Sequence, residues 1–397
     1  MPDPSAPDQL DRRGFISAAI GASAAFSAVV MPASADTTAT PVPGRGGTVY
    51  TGDVIEGKQV VTALDVADLE PGQKHLLYFQ GVQTPAGQHH YVSTMVAKGA
   101  QPGARVALIS GVHGDEISSI RTVQRVMEQL DPAAMSGTVM AVFDVSRPAL
   151  VSMQRRWPNS GRGIGLIDVN REWPGDANGG TASSRHAALV FSQLIAPNAD
   201  YAIDFHTAAT GMDVADFLLA PMDQPEVREM AELYPVRQIF DFAGYPGLLP
   251  VALADVGIPT FTPEVGASRI VDQEMIPAFV EGTLNVLKHH GILPGPIGRT
   301  GKDTAAFVGD RSHVVAATDG GFVEVLVRLD EEVSPGQTVA TQRNAFGEVV
   351  ADYATDTGGR VTAFRTDATA EPGDPLVFIL FDSTAPQAQD VAEVVPE

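Results

Sequence analysis

Cysteine is absent from the 397 residues, which excludes disulfides, thiolate metal sites and cysteine nucleophiles together. Any metal site must therefore rest on His, Asp and Glu. Positive charge is scarce as well: 26 Lys and Arg face 48 Asp and Glu, a formal balance of −22. Nucleic acid and anionic membrane surfaces are bound through concentrated Lys and Arg, so neither is expected as a partner. A small anionic substrate held by a few local arginines remains compatible with this balance. Long apolar runs are also lacking. Beyond residue 35 nothing approaches the roughly 20 apolar residues that span a bilayer, and the mature chain is expected to be soluble.

The N-terminus stands apart. Arg12-Arg13-Gly14-Phe15-Ile16 precedes an alanine-rich apolar run to Met31 and a small-x-small site at Ala33-Ser34-Ala35. Together these describe a twin-arginine export signal over residues 1–35, so the mature protein is expected to be periplasmic or extracellular. A Thr-, Pro- and Gly-rich linker follows over 36–47. Single cores give way to several domains beyond roughly 250–300 residues. Two are expected here, residues 48–298 and 299–383, with a disordered acidic tail over 384–397.

The stretch from Val106 to Glu116 carries the strongest local signal. Its apolar, β-branched run reads as a buried strand that stops at Gly111, just before His113 and Glu116. Ile117, Ile120, Val123, Val126, Met127 and Leu130 then recur at three- and four-residue steps, so an amphipathic helix follows. His113 and Glu116 therefore occupy a strand-to-helix loop, where α/β sheets bind ligands. Imidazole nitrogen and carboxylate oxygen suit zinc, and catalytic zinc sites commonly use three protein ligands. A third must come from elsewhere in the chain.

Strands are expected over Lys74–Val82, His90–Ala97 and Thr138–Val145. Between them His89 and His90 read as surface residues of a strand. An irregular segment follows, from Gln154-Arg155-Arg156-Trp157 through a glycine-rich loop to Asp168-Val169-Asn170-Arg171-Glu172-Trp173. In so acidic a chain, the concentration of Arg155, Arg156, Arg162 and Arg171 in one loop system points to a carboxylate gripped by guanidinium forks. A helix over Ala182–Ile195 carries His186, read as structural. The strand Tyr201–Thr207 runs out at His206, and prolines 259 and 263 frame a short strand ending near Glu264.

His-Gly-Asp-Glu after a strand, Asp-x-Asn-Arg-x-aromatic-Pro-Gly, Asp-Phe-His-Thr and Pro-Glu-Val-Gly occur here in that order between Gly103 and His290. This series resembles the succinylglutamate desuccinylase/aspartoacylase family, relatives of the zinc carboxypeptidases. The resemblance implies an α/β fold, a carboxypeptidase-like α/β/α domain with a mixed sheet and one Zn2+ per chain. It implies that His113, Glu116 and His206 are the metal ligands, Glu264 the general base, Asn170 and Arg171 the substrate carboxylate site and Arg156 the oxyanion stabiliser. For that last role Arg155 competes with Arg156. Asp204, two residues before His206 and on the same strand face, is placed to touch the ligand shell, while Asp168 and Asp115 brace the loops.

After a helix over Asp272–His290, the Gly- and Pro-rich segment 291–301 reads as a linker. Six short β-like runs separated by turn signals then describe a small all-β module. It resembles the barrel-sandwich of biotinyl and lipoyl domains, yet no lysine follows Lys302, so it carries no cofactor of that kind. It is read as structural, or as a wall narrowing substrate choice. The whole describes a zinc-dependent amidohydrolase acting on a small carboxylate-bearing amide such as an N-acyl amino acid. The alternatives are a carboxypeptidase acting on peptides or cell-wall fragments, and a non-catalytic zinc or carboxylate-binding relative.

Overall fold

The computed structural model of the protein describes residues 46–160 and 165–384. The segment 1–35 expected to be an export signal, nearly all of the expected linker, Arg162 and the tail beyond residue 384 lie outside those residues. Strands β1 (Val49–Ile55), β2 (Lys58–Ala63), β3 (Gln73–Gln83) and β4 (His89–Lys98) form one flank of a mixed eleven-stranded sheet. Its centre holds β5 (Gln101–Ile109) and β6 (Ser136–Val142), and a separate antiparallel pair is made by β7 (Trp157–Ser160) and β8 (Gly165–Ile167). Next in the chain come β9 (Tyr201–Asp204), β10 (Met212–Val214), β11 (Phe217–Ala220), β12 (Gln238–Asp241), β13 (Thr260–Glu264) and β14 (Phe307–Gly309). Across the sheet the order is β1-β2-β3-β4-β6-β5-β9-β13-β11-β12-β14, with β10 elsewhere.

Alternate residues of a strand face opposite sides, and β5 is apolar on both. Ala107 and Ile109 enter one core with Val190 and Leu253, from helices α3 (Ala182–Val190) and α5 (Leu249–Ala254). Val106 and Leu108 enter the other, beneath α1 (Ile117–Gln129), α4 (Pro225–Glu232) and α6 (Ile276–His289), which contribute Val123, Met230 and Phe279. A continuous apolar run is what a strand covered on both faces requires, and the result is three layers, α/β/α. The short α2 (Arg147–Val151) packs at the sheet's edge.

Element boundaries differ from the sequence reading in places. The helix expected over Ala182–Ile195 leaves regular α geometry at Val190 and continues as a π turn over Phe191–Ile195. The helix expected from Asp272 begins at Ile276, because the Asp272 carboxylate accepts the amides of Glu274 and Met275 and holds a turn instead. β1 and β2 were not anticipated; β1 is exposed along nearly its whole length and lacks the alternation that marks a half-buried strand.

The C-terminal module is a sandwich of two small antiparallel sheets. One contains β15 (Arg311–Ala316), β20 (Gly359–Arg365) and β22 (Pro375–Phe381), with β17 (Glu332–Val333) against β20. The other contains β16 (Gly321–Val325), β18 (Thr338–Arg343), β19 (Val349–Ala354) and β21 (Thr369–Ala370). Val339, Val361, Leu376 and Ile379 fill the space between them.

A boundary at residue 298 does not describe how the two parts join. β10, from the larger part, adds to the module's sheet by pairing Val214 with Ala363 and Met212 with Arg365. β14, from the other side of that boundary, completes the large sheet beside β12. Strand edges carry unpaired amides and carbonyls that need partners, and here each part supplies the other's. Met212, Phe217, Ala363 and Leu380 form an apolar cluster at the junction. Buried Gln238 of β12 accepts the Thr362 hydroxyl at 2.7 Å and donates to the Val361 carbonyl at 3.1 Å. Gln238→Leu leaves that hydroxyl unpaired and is expected to cost about 1–3 kcal/mol. The measurement is the urea midpoint at constant slope, and an unshifted midpoint would show that this tie contributes nothing.

Candidate metal centre and substrate cavity

β5, β9 and β13 are neighbouring parallel strands, and each delivers chemistry at its carboxyl end. Past β5 the chain turns at Gly111 and Gly114. A Cβ on Gly111 (φ +66) would meet the Phe143 carbonyl at 2.6 Å, and one on Gly114 would overlap the Ala149 and Leu150 backbone at 2.0–2.1 Å. Glycine is what lets this loop lie against the 143–150 segment and turn His113 inward. Glu116 occupies the N-cap position of α1 but makes no capping bond; its carboxylate is spent elsewhere. Beyond β9, the His206 amide bonds the Pro263 carbonyl at 2.9 Å and its carbonyl takes the Val265 amide at 2.9 Å. Glu264 is thereby fixed beside His206.

The side chains converge as the ligand assignment requires. His113 Nδ1 lies 2.7 Å from Glu116 Oε1, His206 Nδ1 lies 2.8 Å from Glu116 Oε2, and the two Nδ1 atoms are 3.1 Å apart. The opposite ring nitrogens meet aspartates: His113 Nε2 is 2.8 Å from Asp168 Oδ1, and His206 Nε2 is 3.1 Å from Asp204 Oδ2. An aspartate on Nε2 fixes the tautomer that leaves the Nδ1 lone pair facing inward. Two such lone pairs and a carboxylate, all buried, repel unless a cation lies among them. With neutral imidazoles, Glu116, Asp168 and Asp204 outnumber the guanidiniums of Arg155 and Arg171 beside them, an excess of negative charge that suits a cation. The donor set fits zinc.

The electrostatics agree. Burial would raise the Glu116 carboxyl, but His113 and His206 on its two oxygens hold it well below the usual carboxylate range. Burial opposes charge on His206, yet Asp204 and Glu116 on either side of its ring raise it well above its ordinary value. Glu264 is different. Burial pushes its carboxyl up to about 8, with His206 and Arg155 opposing and Glu116 adding to the rise. Among the described residues its Oε2 has no hydrogen-bond partner, and it lines the cavity.

That cavity, of ≈ 300 Å³, is also lined by Arg155, Asn170, Arg171 and Tyr245. Arg155 Nη1 donates to Glu116 Oε1 at 2.6 Å. Arg155 is among the residues lining the cavity and Arg156 is not, so of the two adjacent arginines Arg155 lies beside the candidate site. Asn170 sits in a short turn capped by Asp168, which accepts the Asn170 amide at 3.0 Å. Its Oδ1 accepts the Leu249 amide at 3.0 Å, leaving the amide nitrogen toward His206. Arg171 lies with its guanidinium 5.3 Å from the Tyr245 ring centre.

Asp168 does more than brace a loop, since it is the partner of His113; a separation of 55 positions conceals this in the sequence. Asp115 bonds the Thr210 hydroxyl and so ties the loops after β5 and β9. Among the described residues, His89, His90 and His186 take no part in the metal group.

The three-layer α/β fold thus gathers His113, Glu116 and His206 at the ends of parallel strands into a group that could hold a metal ion. Residues 102–290 match the model of the succinylglutamate desuccinylase/aspartoacylase catalytic domain. It is 24% identical over 297 residues to N-alpha-acetyl-L-2,4-diaminobutyric acid deacetylase of Halomonas elongata, covering 72% of this chain and 84% of that one. A succinylglutamate desuccinylase/aspartoacylase structure from Rhodobacter sphaeroides is similar at TM-score 0.68 and 24% identity, over 79% of this chain and 98% of that one. The product-bound ectoine utilization protein EutE (DoeB) of Ruegeria pomeroyi is similar at TM-score 0.71 and 19% identity, over 85% and 99% respectively. These structures share the large mixed sheet and the additional C-terminal β-sheets.

Two predictions follow from this geometry. Asp204→Asn and Asp168→Asn should each weaken zinc binding 10–100-fold or so, measured by competition with a chromogenic chelator; undiminished affinity would mean that the aspartates do not support the ligands. His186 is fully buried, donates Nε2–H to the Val145 carbonyl at 2.9 Å, and is pushed down to about 4 by burial. The unfolded chain binds this proton near pH 6.5 and the folded chain only near 4, so stability is full above about 6.5 and falls as pH drops toward 4, by about 3 kcal/mol. His186→Gln should flatten that part of the pH profile in chemical denaturation, and a slope equal to the parent's would contradict the assignment.

Proposed function

We propose that the chain is a zinc-dependent deacylase that hydrolyses the amide bond of an N-acyl amino acid. The observation that carries this reading is Glu264: a half-buried side chain with one carboxyl oxygen buried and unpartnered among the described residues, lining a cavity beside a His–Glu–His set. When bound, zinc lowers the pKa of water and polarises a carbonyl. A cation beside Glu264 favours its carboxylate form, which can take a proton from water and return it to the leaving amine. Asn170 and Arg171, both lining the cavity, hold the substrate carboxylate through amide and guanidinium donors. Arg155, enclosed against Glu116, supplies positive charge where oxygen becomes negative during the reaction.

The name of the Halomonas elongata relative, a deacetylase of an N-acetylated diamino acid, supports the substrate class. Export as a folded protein belongs to the same proposal, supported by the Arg12-Arg13 motif and the cleavage site at Ala33-Ser34-Ala35. Among the described residues no helix is long and apolar enough to cross a membrane.

The test combines zinc content per chain with amine release from a panel of N-acyl amino acids. Close to one zinc, lost in His206→Ala, together with turnover is the expected result. Glu264→Gln should keep its zinc and lose activity by about 10²–10⁴-fold. Full activity in that variant would remove Glu264 from the proton path, and zinc binding without turnover of any amide would favour a non-catalytic protein.

A further inference from the structure

The cavity continues well past the reacting groups. Glu264, Thr262 and Thr260 all line it. As alternate residues of β13 they face one side, and they mark a slot running down the strand for roughly 13 Å at about 3.3 Å per residue. β11 lies antiparallel alongside and pairs Phe217 with Glu264 and Leu219 with Thr262, so these two side chains widen the same wall. Phe261 and Leu218 face the opposite core. Across the slot stand Val251 and Ala254 of α5 and Phe242 of the loop before it. Ala363, held there by the pairing of β20 with β10, adds the C-terminal module's contribution.

The walls are apolar over most of this length. The Thr260 hydroxyl is committed to the Ile258 carbonyl at 2.9 Å, and Thr262 brings one hydroxyl to the wall between Thr260 and Glu264. Beyond it the polar side chains are Gln224 and Asp255, and Asp255 is exposed to solvent. A charged group buried between Phe217, Leu219 and Val251 would lose its hydration with only the Thr262 hydroxyl beside it and no opposite charge to replace it. The volume matters too: an apolar cavity of about 150 Å³ accepts benzene, and the whole cavity, slot and polar end together, measures ≈ 300 Å³.

Which half of a substrate enters the slot follows from the carboxylate site. Asn170 is bonded to the first amide of α5, at Leu249, and Arg171 lies over Tyr245. Both groups are therefore anchored to the same α5 and 242–245 wall that closes the slot. A substrate whose carboxylate is held there places its amino-acid half, rather than its acyl half, beside the slot. We propose that the chain selects N-acyl amino acids whose amino-acid half bears an elongated, uncharged apolar side chain, received between β13, β11 and α5. This rests on the deacylase reading and specifies its substrate.

Two substrate series test the assignment on the zinc-loaded full chain. The first keeps the acetyl group and varies the amino acid through alanine, norleucine, phenylalanine, lysine and aspartate. The second keeps alanine and lengthens the acyl group from acetyl to butyryl to octanoyl. Expected is a rise in kcat/KM of at least about tenfold from alanine to norleucine or phenylalanine, with no comparable rise along the acyl series. Val251→Glu should collapse the norleucine-to-alanine ratio. A preference for lysine or aspartate, a gain confined to acyl length, or no preference at all would overturn the slot while leaving the deacylase standing. If no amide is cleaved, the deacylase reading fails, and the slot is then read from binding. Free L-norleucine should raise the melting temperature of the zinc-loaded protein more than L-alanine does; equal shifts overturn it.

Discussion

The buried Glu116 carboxylate between two imidazoles is the contact on which the rest of the site depends. It extends into an alternating series, Asp168, His113, Glu116, His206 and Asp204, in which each ring nitrogen of both histidines faces a carboxylate. A carboxylate leaves water at a cost of several kcal/mol unless charge and hydrogen bonds replace its hydration. Five groups from three separate chain segments must therefore arrive together. The sheet brings two of those segments into register through β5 and β9, where Ile109 pairs with Asp204. The loops then have only a few residues over which to place the side chains.

That economy explains where the glycines and short turns fall. Gly114 is the point at which the loop touches α2 with no room for a methyl group, and α2 leads directly to Arg155. Asp168 caps the turn that presents Asn170 while holding His113 with the same oxygen. One carboxylate thus sets the position of a metal-binding ring and of a cavity-lining amide. Proton acceptor and donor set are similarly linked, because His206 and Glu264 exchange backbone contacts through Pro263 and Val265. Displacing β13 would move both.

Much of this was legible before the structure. The uninterrupted run at Val106–Ile109, followed by three- and four-step apolar spacing, marks a strand and helix whose junction carries polar residues; His206 and Glu264 repeat the pattern at the ends of two more apolar segments. Structure brings His113, Glu116 and His206 into one group. What was hidden depends on long-range geometry. Arg155 and Arg156 are adjacent and chemically identical, and only the path of an irregular loop distinguishes them. β10, β11 and β12 are each three or four residues long, too short for alternation to register, so the slot wall formed by Phe217 and Leu219 could not be read. Local pattern reports which residues are buried; it does not report which strands become neighbours.

The reciprocal exchange of β10 and β14 bears on how such a protein is inherited and engineered. A C-terminal module that merely followed its neighbour could be transplanted by cutting the connecting segment. Here a cut at residue 298 would strip the large sheet of its edge strand, and it would leave behind the strand on which the small sheet is built. The natural unit of recombination is the whole hydrolase with its appendage, and a chimaera that keeps one part and replaces the other has to carry a strand from each side of the seam.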